Sequence, residues 1–99
     1  MGINTSIKEI TKIKIKEPKR YKVVMYNDDF TSMEFVVFIL VNIFKKSNEE
    51  AVTIMMSVHK AGKAVVGTYS YDIAKTKVDS AIALAREEGF PFRIKVEEA

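Results

Sequence analysis

The residues best suited to polar chemistry in this chain are the segment Asn27, Asp28 and Asp29 and the single histidine, His59. Two adjacent carboxylates stand just before a very apolar stretch, although one small polar residue is enough to begin a helix. An amide oxygen, a carboxylate and a neutral imidazole all accept hydrogen bonds. If the fold brings His59 to the acidic segment, the set suits a cation such as an ammonium. The simpler alternative is that Asp28 and Asp29 are turn residues stabilised by a helix dipole.

Metal binding and catalysis fit these residue types less well. The chain has no cysteine and a single histidine, so no thiolate and no second imidazole can complete a metal site with Asp28, Asp29 and His59. A catalytic carboxylate and imidazole would also need a nucleophile, and neither a G-x-S-x-G sequence nor a cysteine supplies one. We therefore predict that the chain uses no metal or cofactor and is not an enzyme.

The first predicted helix follows the acidic segment directly. Residues 21–27, "YKVVMYN", are rich in β-branched and aromatic side chains and predict a strand that ends in turn-forming residues. Thr31 and Glu34 then form a T-x-x-E capping box, so we expect Thr31 to cap a helix that runs to about Lys46. The two aspartates would therefore lie before the helix, near the positive end of its dipole.

A second helix is expected to pair with the first as a hairpin. Ser47 and Glu50 form another capping box, and Gly62 is a typical residue for the end of the helix that follows. At about 1.5 Å per residue, Met33 and His59 each lie roughly 20 Å from the turn between the helices, and so at the same level. The hairpin thus predicts that hydrogen-bond acceptors gather at this end of the two helices, beside an apolar surface. Both helices contribute methionines to that surface.

The remaining segments complete an α+β domain. The sequence "KAVVGTY" (63–69) predicts a second strand, and Ser70 can cap a third helix that carries its apolar residues on one face. The sequence "FRIKVEE" (92–98) alternates like a half-buried final strand. The order βααβαβ predicts a small three-stranded antiparallel sheet with three helices packed on one face.

Charge and hydropathy divide the chain into an arm and one domain. Residues 1–19 are Lys-rich and contain a proline, so we predict a flexible arm there and a single domain over residues 20–99. Residues 1–20 hold six of the 16 Lys and Arg residues, which leaves ten basic and eleven acidic groups in the remainder. That balance argues against a nucleic-acid partner. No apolar run approaches the roughly 20 residues of a membrane span and no secretory signal is visible, so we expect no membrane partner and a cytoplasmic location.

Three segments together resemble the ClpS family: "NDDFTSMEFV" (27–36), "MMSVHKAGKAVVG" (55–67) and "AKTKV" (74–78). That family consists of adaptors that deliver N-end-rule substrates to the ClpA-type AAA+ unfoldase and its peptidase partner. The resemblance begins near residue 20 and continues to the end of the sequence. It implies a three-stranded antiparallel sheet with three helices. It also implies that the chain binds proteins that begin with Leu, Phe, Tyr or Trp.

The resemblance further implies roles for individual residues. The substrate's α-amino group would be held by Asn27, by Asp28 or Asp29, and by His59. Its side chain would lie in or near a pocket formed by Thr31, Met33, Val36, Met55, Met56, Val58 and Phe92, the last bulkier than the aliphatic residue common there. Lys77 matches a basic position associated with unfoldase contact, whereas Lys75 stands where well-known members have a carboxylate. The alternative is a structural interaction domain, like that of the ribosomal stalk, which binds translation factors.

Overall fold

The computed structural model describes residues 18–99, and most of the predicted arm, residues 1–17, lies outside the described residues. The predicted order βααβαβ is confirmed. The elements are β1 (Tyr21–Tyr26), α1 (Met33–Asn42), α2 (Asn48–Ala61), β2 (Lys63–Tyr69), α3 (Tyr71–Glu87) and β3 (Arg93–Glu98).

The first strand occupies the centre of the sheet. The strand order is β2-β1-β3 and both pairings are antiparallel, as the sequence predicts. Val23 and Met25 of β1 are fully buried and belong to one core cluster with residues of all three helices. Because side chains alternate along a strand, the neighbours of Val23 and Met25 point to the opposite face of the sheet. The strand sequence therefore assigns one face to the helices.

Helix α1 begins one residue later than expected, and the prediction that Thr31 is its N-cap is wrong. Ser32 is the N-cap, and its Oγ accepts a hydrogen bond from the Phe35 amide at 3.1 Å. The reason lies in the acidic segment, because Asp28 accepts hydrogen bonds from both the amide and the hydroxyl of Thr31. Thr31 thus belongs to the turn before the helix.

Helix α1 also ends at Asn42, earlier than the predicted end near Lys46. Lys45 has a left-handed backbone with a φ of 57°, and the Lys46 amide donates back to a carbonyl of the last helical turns at 3.0 Å. Lys77 of α3 donates to the carbonyl of Ile43, the C-cap residue, at 2.7 Å. A contact from another helix therefore satisfies part of this helix end.

Helix α2 agrees with its predicted capping signals at both ends. Ser47 is the N-cap, its Oγ accepts from the Glu50 amide at 3.1 Å, and Gly62 ends the helix with a φ of 87°. Helix α3 begins after Ser70, whose side chain makes no capping hydrogen bond. Within residues 18–99, none of the helices combines the length and apolar character needed to cross a membrane.

Candidate functional site

A cavity of about 200 Å³ opens at the end of the α1–α2 hairpin that faces the acidic segment. Polar side chains form its rim and apolar side chains form its inner wall. The lining residues are Tyr26, Asn27, Asp28, Asp29, Thr31, Met33, Val36, Met55, Val58 and His59. All four residues predicted to hold an amino group are therefore brought together, although they come from the turn after β1 and from the last turn of α2.

The turn at Gly62 places the end of α2 beside Asn27. The Gly62 amide donates to the Val58 carbonyl at 2.9 Å, and the Asn27 amide donates to the Gly62 carbonyl, also at 2.9 Å. The left-handed φ of Gly62 carries little steric cost in glycine and costs most other residues about 1–2 kcal/mol. His59, one residue beyond Val58, is thereby held on the rim opposite the acidic segment.

Asp28 organises the turn before α1. Its Oδ1 accepts hydrogen bonds from the amides of Phe30 and Thr31 at 2.9 and 2.7 Å, and its Oδ2 accepts one from the Thr31 hydroxyl at 2.7 Å. Partial burial raises the pKa of Asp28, but these hydrogen bonds, with the positive charge of Arg93, outweigh it and hold the pKa below its ordinary value. Both oxygens of this carboxylate are thus already used within the turn.

Asp29 differs from its neighbour in its exposure and in its hydrogen bonding. Its side chain is exposed, and no residue among 18–99 donates a hydrogen bond to its carboxylate. His59 is also exposed, whereas Asn27 is half-buried. The rim therefore presents a carboxylate that accepts no hydrogen bond from residues 18–99, next to an amide and an imidazole.

The inner wall of the cavity is apolar and comes from both helices of the hairpin. Val36 of α1 and Val58 of α2 are buried, and Met55 is half-buried. Met33, the first residue of α1, is 48% exposed and lies where the apolar wall meets the rim. Because methionine side chains are flexible and polarizable, this wall can adapt to an apolar group of variable shape.

Two residues of the predicted side-chain pocket do not line the cavity. Phe92 is 2% exposed and lies in the core, with its ring centroid 5.9 Å from that of Phe35. Met56 is half-buried and is not among the residues that line the cavity. Tyr26 also lines the cavity and was not among the predicted residues. Its position directly before Asn27, at the end of a predicted strand, was the available signal.

Lys77 does not line the cavity, and its side chain is engaged within the fold. Its ammonium donates to the Ile43 carbonyl and lies 5.9 Å from the Phe44 ring centroid and 5.8 Å from that of Tyr69. Lys75, two residues before Lys77 on α3, is exposed, and its ammonium forms an ion pair with the Asp79 carboxylate at 3.0 Å. The contact of Lys77 with an unfoldase stays a prediction.

Residues 18–99 contain no group of three or more His, Cys, Asp or Glu side chains placed to hold a metal ion. The cavity rim has acceptors and one unused carboxylate, and its wall is apolar. Such a cavity can bind an apolar side chain attached to a positively charged group, because each part of that ligand meets a matching surface.

The family model described as "ATP-dependent Clp protease adaptor protein ClpS" matches residues 16–95. The chain belongs to the ClpS family. ClpS relatives with the name "ATP-dependent Clp protease adapter protein ClpS" include one from Oleidesulfovibrio alaskensis, 52% identical over 85% of this chain and 81% of that protein. Another, from Desulforapulum autotrophicum, is 46% identical over 99% of both chains.

A solved ClpS structure shares the fold. The structure described as Agrobacterium tumefaciens ClpS2 bound to L-phenylalaninamide is 41% identical and superposes with a TM-score of 0.81. It covers 84% of this chain, and all of the Agrobacterium chain is matched. The three-stranded sheet with three helices is therefore the fold of the ClpS family.

Proposed function

We propose that this chain is an adaptor that binds substrate proteins beginning with Leu, Phe, Tyr or Trp and delivers them to a ClpA-type AAA+ unfoldase for degradation. The observation that carries the proposal is the joining of an apolar wall and an acceptor rim in one cavity of about 200 Å³. That volume is below the roughly 300–1,000 Å³ of pockets for whole small ligands. The cavity is therefore of a size for one side chain with its amino group.

The ligand of the Agrobacterium relative supports this proposal. L-phenylalaninamide combines an aromatic side chain with an α-amino group, as the first residue of a protein does. An α-amino group titrates at about pH 7.7–8.0, so near pH 7 it is mostly an ammonium that needs hydrogen-bond acceptors. In this chain the acceptors would be Asn27, Asp29 and His59.

The two aspartates would have different roles in this mechanism. Asp28 keeps the turn closed, because its oxygens are bonded to Phe30 and Thr31. Asp29 would supply the negative charge that faces the ammonium, since its carboxylate has no donor within residues 18–99. The adaptor role requires binding and release only, which agrees with the prediction that the chain is not an enzyme. A stalk-like interaction domain would have no use for this combination of rim and wall.

A binding titration tests the recognition step. We expect a labelled peptide that begins with Leu to bind, and its N-acetylated form to bind at least about tenfold more weakly, because acetylation removes the ammonium. Raising the pH from about 7 to about 9.5 should weaken the first interaction and leave the second unchanged, since only the free amine loses its charge. Equal binding of the two peptides would contradict the proposal.

A variant of Asp29 tests the role assigned to its carboxylate. Asp29→Asn should weaken binding of the Leu-initiated peptide at least about tenfold without changing stability.

A delivery assay then follows the degradation of a Leu-initiated reporter by a ClpA-type unfoldase and its peptidase. The chain should accelerate degradation of that reporter and leave a reporter that begins with Met unchanged. Acceleration of both, or of neither, would contradict the adaptor role.

A further inference from the structure

The sheet has a second face, opposite the helices, and most of its side chains lie outside the cavity. Directly paired residues of antiparallel strands point to the same side of a sheet. Since Val23 and Met25 of β1 are buried in the core, the alternate β1 residues and their partners form the opposite face. We call this surface the open face. It consists of Lys22, Val24 and Tyr26 on β1, Lys63, Val65 and Thr68 on β2, and Arg93, Lys95 and Glu97 on β3.

Positive charge dominates the open face. It carries four cationic side chains and one carboxylate, that of Glu97, which accepts a hydrogen bond from the Tyr26 hydroxyl. The cations are Lys22, Lys63, Arg93 and Lys95. Residues 21–99 are nearly balanced in total charge, but their basic side chains are unevenly distributed, because four of them lie on this face.

The centre of the open face is apolar. Val24 is 3% exposed, and its partner Val65 is 50% exposed in the middle of the charged residues. These two valines lie in a shallow depression that Lys22, Lys63 and Glu97 also line. A ligand suited to this surface would carry anionic groups on both sides of an apolar group.

We propose that the open face binds an extended acidic segment of a partner protein. Arg93 and Lys95 are alternate residues of β3, and so are about 6.6 Å apart along the strand. Carboxylates at alternate positions of an extended peptide have the same spacing. With the carboxylates directed toward β3, the apolar residue between them would be directed toward β2 and would contact Val65. Lys63, also on β2, would lie along the same edge of the bound segment.

Three other occupants fit less well. A single-stranded nucleic acid needs an open aromatic ring for base stacking. The ring of Tyr26 is flanked by Arg93 at 5.3 Å and Lys95 at 5.7 Å. A second copy of the chain would place one cationic face against another. Residues 1–17 of the same chain would also be repelled, because their four lysines outnumber their two glutamates.

The test uses a peptide that cannot enter the cavity at the hairpin end. A labelled peptide of roughly twelve residues, alternating Glu and Val, is acetylated at its N-terminus and amidated at its C-terminus; this length is about twice that of a typical strand. We expect saturable binding to the full chain at low ionic strength that weakens as salt is added. Amide shifts in a ¹⁵N spectrum should map to β2 and β3. Failure of the N-terminal recognition proposal would leave this result unchanged.

Charge reversals locate the interaction. Lys63→Glu with Lys95→Glu should weaken binding at least about tenfold. The matched control, Lys45→Glu with Lys46→Glu in the α1–α2 turn, changes the net charge equally and should alter binding less than about twofold. Arg93 is left unchanged because its charge also acts on Asp28 at the cavity. Thermal unfolding of both variants checks that each remains folded.

Several results would overturn the proposal. These are the absence of binding at low salt, equal losses in the two double variants, or shifts that map away from the open face. A labelled oligothymidylate that binds more tightly than the acidic peptide would assign the face to nucleic acid. Tighter retention on vesicles of anionic lipid, lost in the Lys63/Lys95 variant, would assign it to a membrane surface.

Discussion

At the N-terminal end of α1, the turn from Asp28 to Ser32 is held by hydrogen bonds between residues two or three positions apart. At the C-terminal end, by contrast, Lys77 donates to a carbonyl 34 positions away. The first end is open to solvent and lines the cavity. The second is packed under α3, where Phe44 is 4% exposed.

The difference separates the end of α1 that lines the cavity from the end that is anchored in the core. Local hydrogen bonds engage the Asp28 carboxylate, whereas the adjacent carboxylate, that of Asp29, is exposed on the cavity rim. Tertiary contacts at the other end hold α1 against the rest of the core, so the N-terminal turn can stay exposed without fraying the helix. A substitution at the C-terminal end should therefore alter stability, and a substitution on the rim should alter binding.

The largest expected effect comes from the packed end. Phe44→Ala should lower the free energy of unfolding by about 3–5 kcal/mol, because it leaves a cavity among buried residues. Phe38→Ala within α1 is the matched control: Phe38 is 47% exposed, and the loss should stay below about 1 kcal/mol. Urea unfolding measures both values. Similar losses for the two variants would contradict the anchoring role of this end.

The second prediction concerns the ammonium at the same end. Lys77→Met keeps the apolar stem but removes the hydrogen bond to Ile43 and the contacts with the Phe44 and Tyr69 rings. We expect a loss of about 1–2 kcal/mol in the free energy of unfolding. Lys75→Met, which breaks only the exposed pair with Asp79, should leave stability unchanged within error. If the Lys75 variant were the less stable one, the anchoring contact would be wrongly assigned.

The third prediction tests the local network at the open end. Asp28→Asn should cost about 1 kcal/mol of stability near pH 7, a modest value because the turn is partly exposed. Since its folded pKa is depressed, Asp28 stabilises the fold above its unfolded pKa of about 3.9, and that contribution is lost as the pH falls through the folded value. Between about pH 6 and about pH 3, the free energy of unfolding should therefore fall less steeply with decreasing pH in the variant than in the unsubstituted chain. Asp29→Asn is the control, and a loss of stability equal to that of Asp28→Asn would remove the distinction between the two carboxylates.

The smallest expected effect concerns the turn after α1. Lys45 has a φ of 57°, a conformation that costs a non-glycine residue about 1 kcal/mol or more. A glycine avoids that cost, but it lowers stability by a similar amount because it increases the conformational entropy of the unfolded chain. Lys45→Gly should thus change the unfolding free energy by less than about 0.5 kcal/mol. Guanidinium titration with Lys46→Gly as the comparison checks this. A loss above about 1 kcal/mol at Lys45 would show that its side chain, and not the backbone, matters there.

The sequence by itself determined the parts of the fold that depend on neighbouring residues. Strand β2 has its predicted bounds, Lys63–Tyr69, and α2 begins and ends at its predicted caps because Ser47 and Gly62 act within one helical turn. The predicted hairpin also put His59 and Met33 at the same end, and both line the cavity although α1 is shorter than predicted. Even the distinct role of Asp28 had a local signal, an aspartate three residues before Thr31, which competes with capping for the threonine hydroxyl.

The tertiary structure alone decided the features that depend on residues distant in the chain. The early end of α1 involves Lys77 on another helix, and Phe92 lies in the core because the ring of Phe35 packs against it. The charge balance over residues 21–99 gave no hint of the cationic open face, because composition does not record which strands become neighbours. Spacing along a chain sets local geometry, but contacts between elements depend on how the whole core packs, and that packing selects which side chains meet.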